Sequence, residues 1–133
     1  MARILVVDDD PELTEVIRLY LEAEGHEVHT AHNRPDGLAA LAATPPDLLI
    51  LDVMMQAADD GLVMAQELRA AGNAVPILML TAIGRVTRFQ YDRDSDWAPV
   101  DAFLEKPTTP AALVETVQRL LAQHAKEAGH ADH

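Results

Sequence analysis

Residues 4–12 read ILVVDDDPE, an apolar run that stops at three consecutive aspartates. Residues 4–7 are continuously apolar and rich in β-branched side chains, which is typical of a strand buried on both faces of a parallel sheet. Asp10 is a favourable helix N-cap, and Pro11 suits the first turn of a helix. The stretch therefore predicts a buried strand that ends at acidic residues and leads directly into a helix.

The same alternation of short apolar runs and helical patterns continues along the chain. Further strands are predicted at residues 27–31, 47–51, 75–80 and 101–104, and further helices at about 34–43, before residue 70 and at 110–126. This alternation predicts an α/β fold, a doubly wound five-stranded parallel sheet of order 2-1-3-4-5. We expect one domain over residues 1–127 and a frayed C-terminal tail over 128–133.

The composition restricts the possible functions. Because the chain has no cysteine, disulfides, thiolate metal sites and cysteine nucleophiles are excluded. No apolar stretch approaches the ~18 residues of a membrane-spanning helix, and the N-terminus lacks signal-peptide features, so we expect a cytoplasmic protein without membrane contacts. The formal net charge of -12 argues against direct binding to nucleic acid, which depends on clustered lysine and arginine.

Polar residues follow the predicted strands at their carboxyl ends. Asp8 and Asp9 follow the first strand and Asp52 the third, while Thr81 and Lys106 follow the fourth and fifth. Because the carboxyl ends of parallel strands meet at one edge of the sheet, we expect these residues to share a crevice. Carboxylates suit Mg²⁺, and a lysine with a hydroxyl suits a phosphate group. The pattern indicates a divalent cation site beside an oxyanion site.

Four motifs occur in order at these spacings: ILVVDDDPE (4–12), DLLILDVMM (47–55) followed by Asp60-Gly61, ILMLTA (77–82) and DAFLEKP (101–107). In this combination the chain resembles the receiver domain of a two-component response regulator over nearly its whole length. The resemblance implies that a histidine kinase or a phosphotransfer protein donates a phosphoryl group to the chain. It also implies a downstream protein partner, which the sequence does not identify.

The resemblance implies a role for each matching acidic position. Asp52 would be the phosphoacceptor. Asp8, Asp9, a carboxylate oxygen of Asp52 and the backbone carbonyl of Met54 would hold Mg²⁺. The module would catalyse only its own phosphorylation and dephosphorylation, and would not otherwise be an enzyme.

The resemblance also implies roles for residues on the last two strands. Thr81 and Lys106 would bind the phosphoryl oxygens. Phe103 matches the aromatic whose rotamer follows the state of the threonine, although it could instead be a core aromatic. Pro107 is the candidate for a cis peptide bond, and the signal would leave through the face of the fourth and fifth strands.

Two other functions stay open at this stage. A small phosphatase resembling the haloacid dehalogenase type would use Asp8 as its nucleophile, with Asp10 completing an Asp-x-Asp pattern, but it would leave Asp52 idle. A pseudo-receiver would keep the fold and serve only for binding.

Residues 84–98 depart from the family pattern. Most receivers carry an amphipathic helix here and a glycine before the last strand, whereas we expect residues 92–96 and Pro99 to break a helix in this stretch. Four of the five aromatic residues lie between positions 89 and 103. We predict an atypical fourth helix region that forms a remodelled partner surface; the alternative is a loop whose aromatics cover the core. The sequence leaves open whether the chain is a stand-alone regulator or a fragment, and which oligomer it forms.

Overall fold

The structure, a computed structural model, describes residues 2–52, 60–81, 100–106 and 108–131. Its strands are β1 (Arg3–Val7), β2 (Glu27–Ala31), β3 (Leu48–Asp52), β4 (Ile77–Thr81) and β5 (Ala102–Glu105). Its helices are α1 (Pro11–Ala23), α2 (Arg34–Ala43), α3 (Asp60–Ala70) and α4 (Pro110–Ala131). The predicted strands and helices are confirmed with ends that differ by at most two residues, except that α4 continues to Ala131 instead of ending at Lys126. Residues 84–98 lie outside the described residues, so the prediction of a partner surface there stays open.

The five strands form one parallel sheet of order β2-β1-β3-β4-β5, as predicted. The register pairs Val7 with Leu51 and Asp52 with Leu80, so the carboxyl ends of the three central strands lie side by side. The chain moves from β1 outward to β2 and then returns to β3 on the other side of β1. In such sheets this switch point opens a crevice that is suited to a ligand.

Helices cover both faces of the sheet and create two apolar layers. One layer lies between the sheet and the helices α2 and α3, and the other lies between the sheet and the helices α1 and α4. Every residue of β3 is buried as a result. Burial on both faces explains why the central strands are continuous apolar runs without an alternating pattern. In the part of the chain that the structure describes, no helix has the length and apolarity needed to cross a membrane.

The predicted cap of α1 is confirmed. Asp10 Oδ1 accepts hydrogen bonds from the backbone nitrogens of Glu12 at 3.0 Å and Leu13 at 3.3 Å. Capping ties the start of α1 to the acidic residues that end β1, since it satisfies amide groups that have no partner within the helix. Asp10 is therefore used by the fold, and it leaves Asp8 and Asp9 for the crevice.

Candidate functional site

Three carboxylates gather at the carboxyl edge of β1 and β3. Asp8 is fully buried and Asp52 is 4% exposed, whereas Asp9 is exposed. Each of the three offers a carboxylate oxygen within 4.8 Å of the oxygens of the other two. Burying an ionised carboxylate is costly unless a cation or hydrogen-bond donors compensate its charge. The cluster therefore requires positive charge close to Asp8 and Asp52.

Lys106 supplies the first positive charge. It follows β5, and its side chain reaches back across β4, so that Nζ donates to Asp8 Oδ2 at 3.0 Å and lies 3.2 Å from Asp52 Oδ1. Its backbone nitrogen donates to the carbonyl oxygen of Thr81 at 2.7 Å, which fixes where the side chain begins.

The same contacts control the protonation of this lysine. Partial burial lowers the pKa of Lys106, but the hydrogen bond that the lysine donates to Asp8 and the charges of Asp8 and Asp52 outweigh that effect and raise the pKa above its ordinary value. The lysine is thus positively charged at neutral pH.

Hydrogen bonds hold Asp8 in place and leave Asp9 open. The backbone nitrogen of Asp8 donates to the carbonyl oxygen of Ala31 at 3.1 Å, and the nitrogen of Asp10 donates to Asp8 Oδ1 at 3.0 Å. Both oxygens of the Asp8 carboxylate are therefore engaged, one by Asp10 and the other by Lys106. Within the described ranges, the Asp9 carboxylate makes no hydrogen bond or ion pair, so it is available to a ligand.

Thr81 contributes an orphaned hydroxyl at the same edge. The residue ends β4 and is fully buried, and its Oγ1 finds no hydrogen-bond partner among the residues that the structure describes. A buried hydroxyl without a partner costs about 1–3 kcal/mol, so native proteins rarely retain one without a reason. A phosphoryl oxygen that entered the crevice would supply the missing acceptor.

The donor set fits Mg²⁺. Three carboxylates face one lysine, which leaves an excess of two negative charges that one divalent cation would balance. Mg²⁺ takes oxygen ligands and is commonly bound by carboxylates that also face a phosphate. Asp8, Asp9 and Asp52 are the predicted ligands, and the structure brings all three together. The backbone carbonyl of Met54 lies outside the described residues and stays a prediction.

Two further predicted residues belong to the last strand and the turn after it. Phe103 pairs with Met79 in the sheet, is partly buried, and packs against the apolar layer under α2 and α3. This placement agrees with a core aromatic and leaves the switch role a prediction. Pro107 lies outside the described residues, so its cis peptide bond is untested.

The structure shows a contact between the side chains of Thr14 and His32, close to the acidic residues, that the sequence did not predict. Thr14 is 2% exposed on the inner face of α1, and its Oγ1 lies 3.2 Å from Nε2 of His32, which follows β2. The available signal is the position of Thr14 beside Leu13, Ile17 and Leu21, apolar residues of α1 that pack against the core. That signal indicates a buried hydroxyl but does not identify its partner.

Comparisons with known proteins agree on one family. A sequence profile described as "Response regulator receiver domain" matches residues 4–118. The response regulator MprA of Mycobacterium avium (strain 104) and that of Mycobacterium tuberculosis (strain ATCC 25618 / H37Rv) are each 40% identical to this chain over 119 residues. The match covers 90% of this chain but 50% of each relative, so the chain spans about half the length of these proteins.

Solved structures show the same architecture. The receiver domain of NtrX from Brucella abortus superimposes with a TM-score of 0.80 at 29% identity, covering 90% of this chain and 98% of that one. A putative response regulator from Chloroflexus aurantiacus gives a TM-score of 0.79 at 32% identity, with coverage of 91% and 98%. The likeness thus extends over nearly the whole length of isolated receiver domains.

Proposed function

Since this chain belongs to the response regulator receiver domain family, we propose that it accepts a phosphoryl group on Asp52 from a histidine kinase or a phosphotransfer protein. The arrangement of Asp52 is the observation that carries the proposal. Its carboxylate is almost fully buried, yet it lies 3.2 Å from the ammonium group of Lys106 and beside the carboxylates of Asp8 and Asp9. A buried nucleophile with a lysine counter-charge in place and further carboxylate ligands for a cation beside it suits phosphoryl transfer, which depends mainly on positioning and charge neutralisation.

The proposed reaction forms one bond and breaks another. A carboxylate oxygen of Asp52 bonds to phosphorus while the bond from phosphorus to the donor breaks, and the product is an acyl phosphate. Lys106 neutralises charge on the phosphoryl oxygens, and the Thr81 hydroxyl donates a hydrogen bond to one of them. Mg²⁺, held by Asp8, Asp9, Asp52 and the Met54 carbonyl, would supply further charge neutralisation. Attack by water on the acyl phosphate returns the carboxylate and releases phosphate.

The new charge on Asp52 provides the signal in this proposal. A phosphoryl group adds nearly two negative charges and strong acceptor oxygens, so it attracts the orphaned hydroxyl of Thr81. A shift of Thr81 would change the space beside Phe103, and the surface of β4 and β5 would present the change to a downstream protein partner. The cytoplasm, where such kinases present their phosphoryl groups, is the predicted location.

The contacts of Asp8 disfavour the phosphatase alternative. Both of its carboxylate oxygens are engaged, by the Asp10 nitrogen and by Lys106, and the residue is fully buried. A substrate has to reach its nucleophile, and the side chain of Asp8 is 0% exposed whereas that of Asp52 is 6% exposed. A pseudo-receiver is disfavoured because Asp52, Thr81 and Lys106 are all present at one edge of the sheet.

Locating a phosphoryl label tests the proposed function against both alternatives. The protein is incubated with Mg²⁺ and a small acyl phosphate, the acyl phosphate on the protein is reduced with borohydride, and the modified residue is found by mass spectrometry. We expect modification at Asp52. Modification at Asp8 would support the phosphatase, and absence of modification with Mg²⁺ present would support the pseudo-receiver.

Replacing Thr81 with valine should separate stability from reaction. Valine has nearly the same shape and removes a buried hydroxyl that lacks a partner among the described residues, so unfolding in urea should show equal stability or a gain of up to about 1 kcal/mol. Labelling by the acyl phosphate should slow by about ten-fold or more, because one donor to the phosphoryl oxygens is lost.

Thr116→Val is the matched control for this variant. Thr116 is also a buried threonine, but its hydroxyl already donates to the carbonyl oxygen of Ala112 at 2.8 Å within α4. Labelling of this control should equal that of the wild type. A Thr81→Val protein that reacts at the wild-type rate would remove Thr81 from the proposed mechanism.

A further inference from the structure

A hydrogen-bonded contact fastens the end of β2 to the first turn of α1. His32 Nε2 lies 3.2 Å from Thr14 Oγ1, where His32 is exposed and Thr14 is buried. The contact lies beside residues 8–10, which we call the acidic loop. The proposed chemistry does not use either side chain, so the contact needs its own explanation.

The direction of this hydrogen bond follows from the single proton of the threonine hydroxyl. Thr14 Oγ1 donates that proton to the carbonyl oxygen of Pro11 at 3.0 Å. The hydroxyl can therefore only accept from His32, so ring nitrogen Nε2 is the donor. The bonds form one chain that runs from His32 through Thr14 to Pro11, the residue after the acidic loop.

The end of β2 thus holds the acidic loop at both of its ends. Before the loop turns, the Asp8 nitrogen donates to the carbonyl oxygen of Ala31; after the turn, His32 holds Pro11 through Thr14. Asp9 lies between these two anchors, and its own carboxylate makes no hydrogen bond to the described residues. The position of the Asp9 carboxylate therefore depends on the backbone of the loop and on the rotamers that this backbone allows.

We propose that His32 is a positioning residue for Asp9 and thereby sets the affinity of the crevice for a divalent cation. The inference rests on the proposed function, which assigns the cation to Asp8, Asp9 and Asp52. When the contact is lost, the loop samples more conformations, and cation binding has to oppose a larger loss of entropy. Partners behind the direct ligands commonly tune metal affinity in this way.

Binding of Mn²⁺ to the full chain tests the inference without any phosphoryl transfer. Mn²⁺ prefers the same oxygen ligands as Mg²⁺, and its free ion is counted by electron paramagnetic resonance. His32→Ala and Thr14→Val should each raise the Kd for Mn²⁺ by about five-fold, the effect expected for the loss of one hydrogen bond. The double variant should be no weaker than the weaker single variant, because both changes break the same chain of bonds.

Two conservative variants distinguish the loss of this hydrogen bond from a general destabilisation of the fold. In His32→Gln the amide nitrogen replaces Nε2 as the donor, so the Kd should stay within about two-fold of the wild type. In His32→Asn the amide is too short to reach Thr14, so the Kd should match that of His32→Ala. His29→Ala is the control, since His29 is also exposed on β2 but contacts Glu27; its Kd should not change.

Each result decides the inference. The inference is wrong if His32→Ala or Thr14→Val binds Mn²⁺ with the wild-type Kd. It is also wrong if the increase in Kd of the double variant equals the product of the two single increases. Equal increases in Kd for His32→Gln and His32→Asn would contradict it as well. If His32→Ala does not fold, Thr14→Val and the Gln and Asn pair provide the same decision. A wild type that binds no Mn²⁺ would overturn this inference and the cation part of the proposed function together. A wild type that binds Mn²⁺ but is never labelled on Asp52 would overturn the proposed function alone.

Discussion

The Asp52→Asn variant should keep its fold and lose labelling by a small acyl phosphate by at least about 100-fold, because a neutral amide is a far weaker nucleophile than a carboxylate. Asparagine has nearly the same shape as aspartate, so the buried position at the end of β3 stays filled. Lys106 keeps its ion pair with the fully buried Asp8. Quantitative mass spectrometry of the reduced acyl phosphate measures the loss.

The control for this variant lies at the other end of the same strand. Asp47 precedes β3, and its Oδ2 accepts a hydrogen bond from the backbone nitrogen of Arg3 at 2.8 Å. An asparagine there still offers an oxygen acceptor, so Asp47→Asn should be labelled at the wild-type rate. Wild-type labelling of Asp52→Asn would place the acceptor elsewhere in the chain and contradict the proposed function.

Replacing Lys106 with methionine should change cation binding and phosphoryl transfer in opposite directions. The lysine ammonium lies 3.0 Å from Asp8 Oδ2 and 3.2 Å from Asp52 Oδ1, and both carboxylates are predicted cation ligands. Removing this positive charge should tighten Mn²⁺ or Mg²⁺ binding by about ten-fold, because like charges a few ångströms apart repel. Labelling of Asp52 should nevertheless fall by about 100-fold, since the charge that stabilises the phosphoryl oxygens is lost.

The same variant should depend on the cation for its stability. Without a divalent cation, two buried carboxylates lose their counter-charge, and the free energy of unfolding should fall by about 2–3 kcal/mol. Added Mg²⁺ should restore more stability to Lys106→Met than it adds to the wild type, because the variant binds the ion more tightly. Urea unfolding with and without Mg²⁺ measures both effects.

Arg3→Met controls for the loss of net charge. Arg3 begins β1, at the end of the strand away from the crevice, and its partly exposed side chain pairs with Glu27. Its removal lowers the net charge by the same amount without affecting the crevice, so cation affinity should not change. Cation affinity in Lys106→Met that equals the wild-type value or lies below it would show that the lysine does not compete with the ion.

The strands and their order in the sheet can be predicted from the sequence for a physical reason. A sheet covered by helices on both faces needs strands that are apolar on both sides, as in residues 4–7 and in β3, where every residue is buried. Connections between parallel strands in such sheets are short and right-handed, which leaves few possible orders of the strands in the sheet. Because all the strands point the same way, Asp8, Asp52 and Lys106 had to meet at one edge.

The end of α4 was predicted less well. The apolar stripe of α4 includes the buried residues Leu113, Val117 and Leu120, and the helix continues to Ala131. The sequence predicted a helix over residues 110–126, with its apolar face ending at Leu121. Alanine, lysine and glutamate, which are frequent after Leu121, have high intrinsic helix propensity and favour continuation of the helix beyond the apolar pattern.

The chemical character of the site depended on tertiary structure. Asp8 and Asp9 are adjacent and chemically identical, yet one is fully buried and held by two donors while the other is exposed. The contact of Lys106 with Asp8 joins residues 98 positions apart, and the His32 to Thr14 contact joins a loop to a helix. The apolar pattern of the sequence shows where each strand ends, and it therefore predicted that the polar residues after the strands lie at one edge of the sheet. Distances between side chains on different elements depend on how those elements pack, and therefore only the folded chain specified the ion pair, the orphaned hydroxyl of Thr81 and the anchor of the acidic loop.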